Sequence, residues 1–235
     1  MCLEERNSDA AIGMMKFSLR KDDSSAISVL CLGAHSDDIE IGCGATLMQL
    51  SRCNPEAKFC WVVLSAKGVR KTEAREAARL FTAPCESTVL LNEFRDGYLP
   101  YEGDKVKDFF EDLKSRVEPD IIFTHWRGDA HQDHRLINQL TWNTFRNHTI
   151  LEYEIPKFDG DLGRPNTFIP LEEWAFRKKV ENLSAIFESQ RSKPWFDSAT
   201  FLGLMRLRGM ESNAASGYAE AFYTRKLLID VFTAK

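Results

Sequence analysis

Along this chain the apolar positions fall into two regimes. Four short, nearly unbroken runs, Ala26–Gly33, Phe59–Leu64, Thr88–Leu91 and Asp120–Thr124, have the length and composition of strands buried on both faces of a sheet. Between them lie the longer segments Gly44–Arg52, Lys71–Leu80 and Lys105–Val117, where apolar residues recur at helical spacing. Pro119 marks the break before the last strand. The pattern is therefore β-α-β-α-β-α-β.

Strands that alternate with helices pair in parallel and are covered on both faces, so the fold class predicted is α/β: a Rossmann-like three-layer sandwich with a mostly parallel sheet. Sites in such sheets lie beyond the carboxyl ends of the strands, here the loops that begin at Ala34, Ser65 and His125. Further on, the pattern predicts a helix over Leu136–Phe145, a strand over Thr149–Ile155, a loop over Phe158–Asn166, an extended piece over Asn166–Pro170 and a long helix over Leu171–Gln190. A chain of 235 residues fits one domain, 1–235, with residues 1–23 aperiodic and expected to be partly disordered at their start.

Composition removes several alternatives. With 43% apolar and 28% charged residues the chain is an ordinary globular one, and a formal net charge of −4 with dispersed basic residues gives no general attraction for nucleic acid or anionic membranes. No apolar run reaches the ~20 residues of a membrane span and Met1–Arg20 holds no compact apolar leader, so a cytoplasmic protein is the expectation. The six cysteines form no C-x-x-C pair, which argues against a zinc ribbon or redox motif.

Two of the three edge loops are rich in ionisable groups. The first, Gly33-Ala34-His35-Ser36-Asp37-Asp38-Ile39-Glu40, follows directly on a strand. His and Asp are ordinary zinc ligands, and neighbouring carboxylates must point apart, so one can bind metal while the other faces a bound water. The second, Asp129-Ala130-His131-Gln132-Asp133-His134-Arg135, enters a helix, and of two histidines three apart one can ligate while the other acts. Taken singly, each loop could be a polar helix start, with Asp133 as a cap. Falling on one edge of one sheet, they assemble the open three-ligand set of a catalytic zinc site. A dinucleotide loop is disfavoured, because Gly42-Cys43-Gly44 lacks a third glycine and stands too far behind the strand.

These runs resemble the PIG-L/LmbE-like family of N-acetylglucosaminyl deacetylases, with its A-H-P-D-D-x-E-x-G-x-G-G run and later H-P-D-H. Here Ala34–Ala45 and His131–His134 stand in those places, and Arg70-x-x-Glu73, Arg208-Gly209 and Tyr218–Phe222 extend the likeness. Ser36, Gln132 and Ala45 depart from the family's prolines and glycine, which affects loop stiffness but no reactive group.

The resemblance implies a zinc-dependent deacetylase with His35, Asp38 and His134 as metal ligands, Asp37 as general base and a protonated His131 as partner of the oxyanion, oriented or charged by Asp133. Arg70 and Glu40 are the candidate substrate contacts, against a surface Arg70–Glu73 pair and helix-start capping by Glu40. His125 reads as structural, and the aromatics around Trp195, Phe196 and Phe201 as core. Iron(II) or another divalent ion suits the same ligands. The implied partner is a small-molecule N-acetylamino sugar or a glycoconjugate; nucleic acid is not expected, and a homo-oligomer is neither required nor excluded. An amidase on a thiol conjugate of an amino sugar, or a metal- or sugar-binding module without turnover, remain the alternatives.

Overall fold

The structure is a computed structural model that describes residues 15–19 and 25–229. The disorder expected at the start of the chain lies mostly outside these residues. Strands β1 (Ser28–His35), β2 (Lys58–Ser65), β3 (Ser87–Leu91), β4 (Ile121–His125) and β5 (Thr149–Tyr153) pair in parallel in the order β3-β2-β1-β4-β5. Two more, β6 (Thr167–Pro170) and β7 (Ala219–Tyr223), complete a seven-stranded sheet, with β7 antiparallel between β5 and β6.

The central strands read as unbroken apolar runs because both faces are covered. Val29 and Cys31 of β1 enter one core with α1 (Asp38–Cys53) and α2 (Val69–Thr82), while Leu30 and Leu32 enter the other with α3 (Gly103–Arg116) and α4 (Gln132–Thr144). Helices α5 (Glu173–Ile186) and α6 (Ser198–Glu211) join the first face. The chain lays β2 and β3 on one side of β1 and β4 and β5 on the other, so a crevice opens where β1 and β4 diverge at their carboxyl ends. Both ionisable loops leave the sheet there.

Several elements differ from the sequence pattern. Helix α1 begins at Asp38 rather than Gly44, since Gly42 and Gly44, poor helix formers in isolation, are set by packing. A Cβ at Gly42 would stand 2.2 Å from the Tyr153 ring, and one at Gly44 2.6 Å from that of Phe81. Helix α4 starts at Gln132 rather than Leu136. The expected long helix ends at Ile186, where Phe187 leaves helical geometry (φ −87°, ψ 63°) ahead of the short turn Glu188–Gln190. Neither α6, capped by Asp197 on the N–H groups of Ala199 and Thr200, nor strand β7 was expected.

Those two late elements hold the site's scaffold through buried ion pairs. Glu220 of β7 accepts hydrogen bonds from the main-chain N–H of Ala45 (3.0 Å) and Thr46 (2.7 Å), midway along α1. Lys179 of α5 donates to the Ile41 carbonyl (2.5 Å) and to Glu220 (2.6 Å), so the pair is inserted against the helix that carries Asp38. Arg208 of α6 binds Glu154 through two nitrogens, at 2.9 and 2.8 Å. Gly209 lets the Gly217–Tyr218 backbone pass where a Cβ would lie 2.1 Å from the Gly217 oxygen. Replacing Glu220 with alanine strands the Lys179 ammonium in the core and is expected to cost about 3–5 kcal/mol, read as a lower urea midpoint. A midpoint unchanged by the substitution would show that the pair holds nothing.

Candidate active site

The loop after β1 and the start of α4 meet over the crevice. His35 Nδ1 stands 3.3 Å from Asp38 Oδ2 and 3.3 Å from His134 Nε2, and His134 Nε2 is 3.5 Å from Asp38 Oδ1. All three residues are buried. Donor atoms at 2.0–2.1 Å from a tetrahedral zinc lie about 3.4 Å apart, so the donor chemistry and the separation of the two imidazole nitrogens fit such an ion, with a different Asp38 oxygen nearest each ring.

The hydrogen bonds behind the triangle select which nitrogens can face an ion. His134 Nδ1 lies 2.9 Å from Asp129 Oδ2, and His35 Nε2 lies 3.2 Å from both Asp133 Oδ2 and Asp96 Oδ1. Each imidazole thus has a carboxylate on the nitrogen turned away from the centre, the arrangement that fixes tautomer and ring orientation in metal-binding histidines. Burial disfavours charge on both rings, but Asp38, Asp133 and Asp96 outweigh it at His35, and Asp38 and Asp129 at His134, so both pKa values rise.

His125 lies beneath, stacked on His134 with ring centroids 3.8 Å apart. Its Nε2 lies 3.0 Å from the Ala34 nitrogen and 3.2 Å from Asp38 Oδ2, so His125 forms a floor to the site. Burial, then the neighbouring His134, push its pKa down to about 4.

Asp37 and Asp38 diverge as adjacent residues must. Asp38 Oδ2 turns back to the His35 main-chain N–H (2.6 Å), whereas Asp37 Oδ1 receives Arg70 Nη2 at 3.0 Å. Burial, and then the charge of Asp38, raise the Asp37 carboxyl above its usual range against the pull of Arg70. Arg70 also reaches Asp96 at 3.1 Å, so it closes one side of the centre instead of pairing with Glu73, whose carboxylate binds the Ser189 N–H and hydroxyl.

Three expectations need correction. The Asp133 carboxylate is hydrogen-bonded to His35 and not to His131, although its charge still pulls the His131 pKa upward; it also takes the N–H groups of Gly97 (2.8 Å) and Leu99 (3.1 Å), because α4 begins early and aims this side chain back at the 97–99 turn. His131 is itself the N-cap of α4, with Nδ1 accepting the Asp133 N–H at 3.2 Å, so its remaining hydrogen is on Nε2 and the ring is a neutral donor. Burial, with His134 and His35 close by, lowers its pKa. Glu40 is wholly buried in α1, neither carboxylate oxygen having a hydrogen-bond partner, and burial raises its pKa well above the usual range.

Asp96 and Lys157 carried no sequence signal. Asp129 lay inside a cluster without a role, although a carboxylate five positions before His134 in one tight loop was the available hint. Lys157 binds Asp129 at 2.9 Å and Asp161 at 2.5 Å, tying the long loop after β5 to the loop that holds His134.

Fold and centre define a class: a three-layer α/β protein with a buried His/Asp centre at the switch point of a parallel sheet. The model of the PIG-L family, described as GlcNAc-PI de-N-acetylase, matches residues 30–145. An uncharacterized deacetylase of Escherichia coli (strain K12), YaiS, is 30% identical over 139 residues, 54% of this chain and 74% of that protein. The chain belongs to the PIG-L family, a family of deacetylases.

Among solved structures, the N,N'-diacetylchitobiose deacetylase of Pyrococcus horikoshii aligns with a TM-score of 0.63 at 21% identity, covering 88% of this chain and 87% of that one. The 4-carboxy-2-hydroxymuconate hydratase GalB of Pseudomonas putida KT2440 aligns at 0.70 and 17% identity, over 88% of this chain and 100% of its own. A hydratase on the same fold means that the chemistry has to be argued from the residues at the crevice. Among the described residues no helix is long and apolar enough to cross a membrane.

Proposed function

We propose that the chain is a divalent-metal-dependent hydrolase that removes the acetyl group from an N-acetylamino sugar, with His35, Asp38 and His134 holding zinc or a similar ion. The observation that carries this reading is the convergence of His35, Asp38 and His134: the facing imidazole nitrogens are 3.3 Å apart, Asp38 Oδ2 lies 3.3 Å from one and Oδ1 3.5 Å from the other, and a carboxylate stands behind each imidazole. A bound ion would supply acidity, bringing the pKa of water to about 7, and polarise the acetamide carbonyl.

The chain's own groups do the rest. Asp37, beside the triangle and oriented by Arg70, takes a proton from water as its oxygen attacks the carbonyl carbon. The N–H on His131 Nε2 donates to the oxygen that gains charge, as a neutral donor whose other nitrogen is held by the helix cap. When the C–N bond breaks, Asp37 returns its proton to the departing nitrogen, leaving acetate and a free amino sugar. Asp129 and Asp133 position His134 and His35 and touch no reacting atom.

The direct test is acetate release from a panel of N-acetylamino sugars by metal-stripped and zinc-reconstituted protein. Turnover only with metal is expected, and full turnover by stripped protein would end the proposal. Asp129→Asn is expected to weaken zinc binding about 10–100-fold in competition with a chromophoric chelator. An affinity unaffected by that change would detach Asp129 from the centre.

A further inference from the structure

His125, the last residue of β4, moves no proton in the proposed reaction, yet it touches both loops that build the centre. Towards the β1 loop, its Nε2 lies 3.0 Å from the Ala34 nitrogen and 3.2 Å from Asp38 Oδ2. Towards α4, its ring stacks on His134, with centroids 3.8 Å and planes 15° apart, and its carbonyl accepts the Asn138 side-chain N–H at 2.6 Å. The sheet supports it from below. Tyr153, its partner across β4 and β5, donates its hydroxyl to the Leu32 carbonyl at 2.6 Å, and that hydroxyl stands 3.4 Å from His125 Nε2.

His125 is wholly buried, and a side chain packed on every side at a strand end holds its place better than one on a loop. The consequence is largest for His134. Asp129 holds that ring at one edge, 2.9 Å from Nδ1, and a ring held at one edge can still tilt; a second ring stacked on its face removes that freedom. Asp38 is restrained in a related way. The His35 N–H at 2.6 Å and His125 Nε2 at 3.2 Å meet the same oxygen, Oδ2, so the carboxylate cannot rotate without leaving both.

We propose that His125 is a positioning residue for the metal centre, its ring setting the plane of His134 and its Nε2 the rotation of the Asp38 carboxylate. Two of the three ligand side chains are thereby seated before an ion binds, so binding need not order them. This inference rests on the reading of His35, Asp38 and His134 as metal ligands.

The test measures zinc affinity, by competition with a chromophoric chelator, on wild type, His125→Phe and His125→Gln. Phenylalanine keeps a ring against His134 and removes the nitrogen, whereas glutamine keeps a nitrogen for Asp38 and removes the ring. Each variant is expected to bind one zinc per chain about 10–100-fold more weakly than wild type, and the visible bands of its cobalt(II) form are expected to shift. Histidine NMR on the wild type needs no variant to fold. Ring protons of His125 and His134 should show the cross-relaxation of stacked rings in metal-free protein, and added zinc should move ring nitrogens of His35 and His134 to metal-bound positions but not those of His125. Affinity and cobalt bands unchanged in both variants, rings that stack only after zinc is added, or a metal-bound nitrogen on His125 would each overturn the positioning role while leaving the metal reading intact. A wild type that binds no zinc would instead overturn the metal reading, and the positioning role with it.

Discussion

Replacing Asp37 with alanine is expected to lower turnover by roughly 10²–10⁴-fold while zinc binding stays within a few-fold of wild type. The two consequences separate because Asp38 alone of the adjacent carboxylates faces the histidines: its oxygens lie 3.3 Å from His35 Nδ1 and 3.5 Å from His134 Nε2, whereas Asp37 is turned to Arg70. Although Asp37 is the N-cap of α1, its side chain makes no capping hydrogen bond, so its removal does not unravel the helix start. Asp37→Asn is the stricter variant, because it keeps an oxygen for Arg70 and removes only the base. Should either variant lose metal together with rate, Asp37 would have to be reassigned as a ligand.

A larger effect is expected at the ligands. His134→Ala, and equally His35→Ala, should abolish stoichiometric zinc binding and reduce acetate release to background. Each removes one of three ligand residues, and two remaining ones do not make a catalytic site. Removing His134 also takes a partner from Asp129, which keeps Lys157 on the same oxygen at 2.9 Å, so the fold has a counter-ion in place. Metal content after dialysis, measured beside the thermal midpoint, distinguishes loss of the ion from loss of the fold. A His134→Ala protein that retained one zinc per chain and full turnover would move the centre elsewhere.

The alternating order predicted the parallel sheet and its two helix layers, because a strand buried on both faces must be apolar at nearly every position, as β1 is. The edge loops were likewise legible, since His35, Asp37 and Asp38 come directly at the end of an apolar run. Signals that depend on local periodicity failed where packing overrode them. Gly42 and Gly44 hid the first turns of α1 because close approach to Tyr153 and Phe81 matters more there than helix propensity. Strand β7 was invisible because Glu220, its second residue, is a buried charge that only Lys179 and the α1 backbone make tolerable.

Read alone, the order of residues thus determines the α/β class, the sheet edge at which ionisable groups gather and the residue types found there, since each follows from neighbours along the chain. Which carboxylate serves which imidazole was decided only on folding. Asp133 was expected to partner His131, its near neighbour in sequence, yet it reaches His35, 98 positions away, and Asp96 arrives from a loop with no motif. The physical reason is that a hydrogen bond is set by direction as well as distance. The turn entering α4 points the Asp133 side chain away from the ring that its own N–H holds in place.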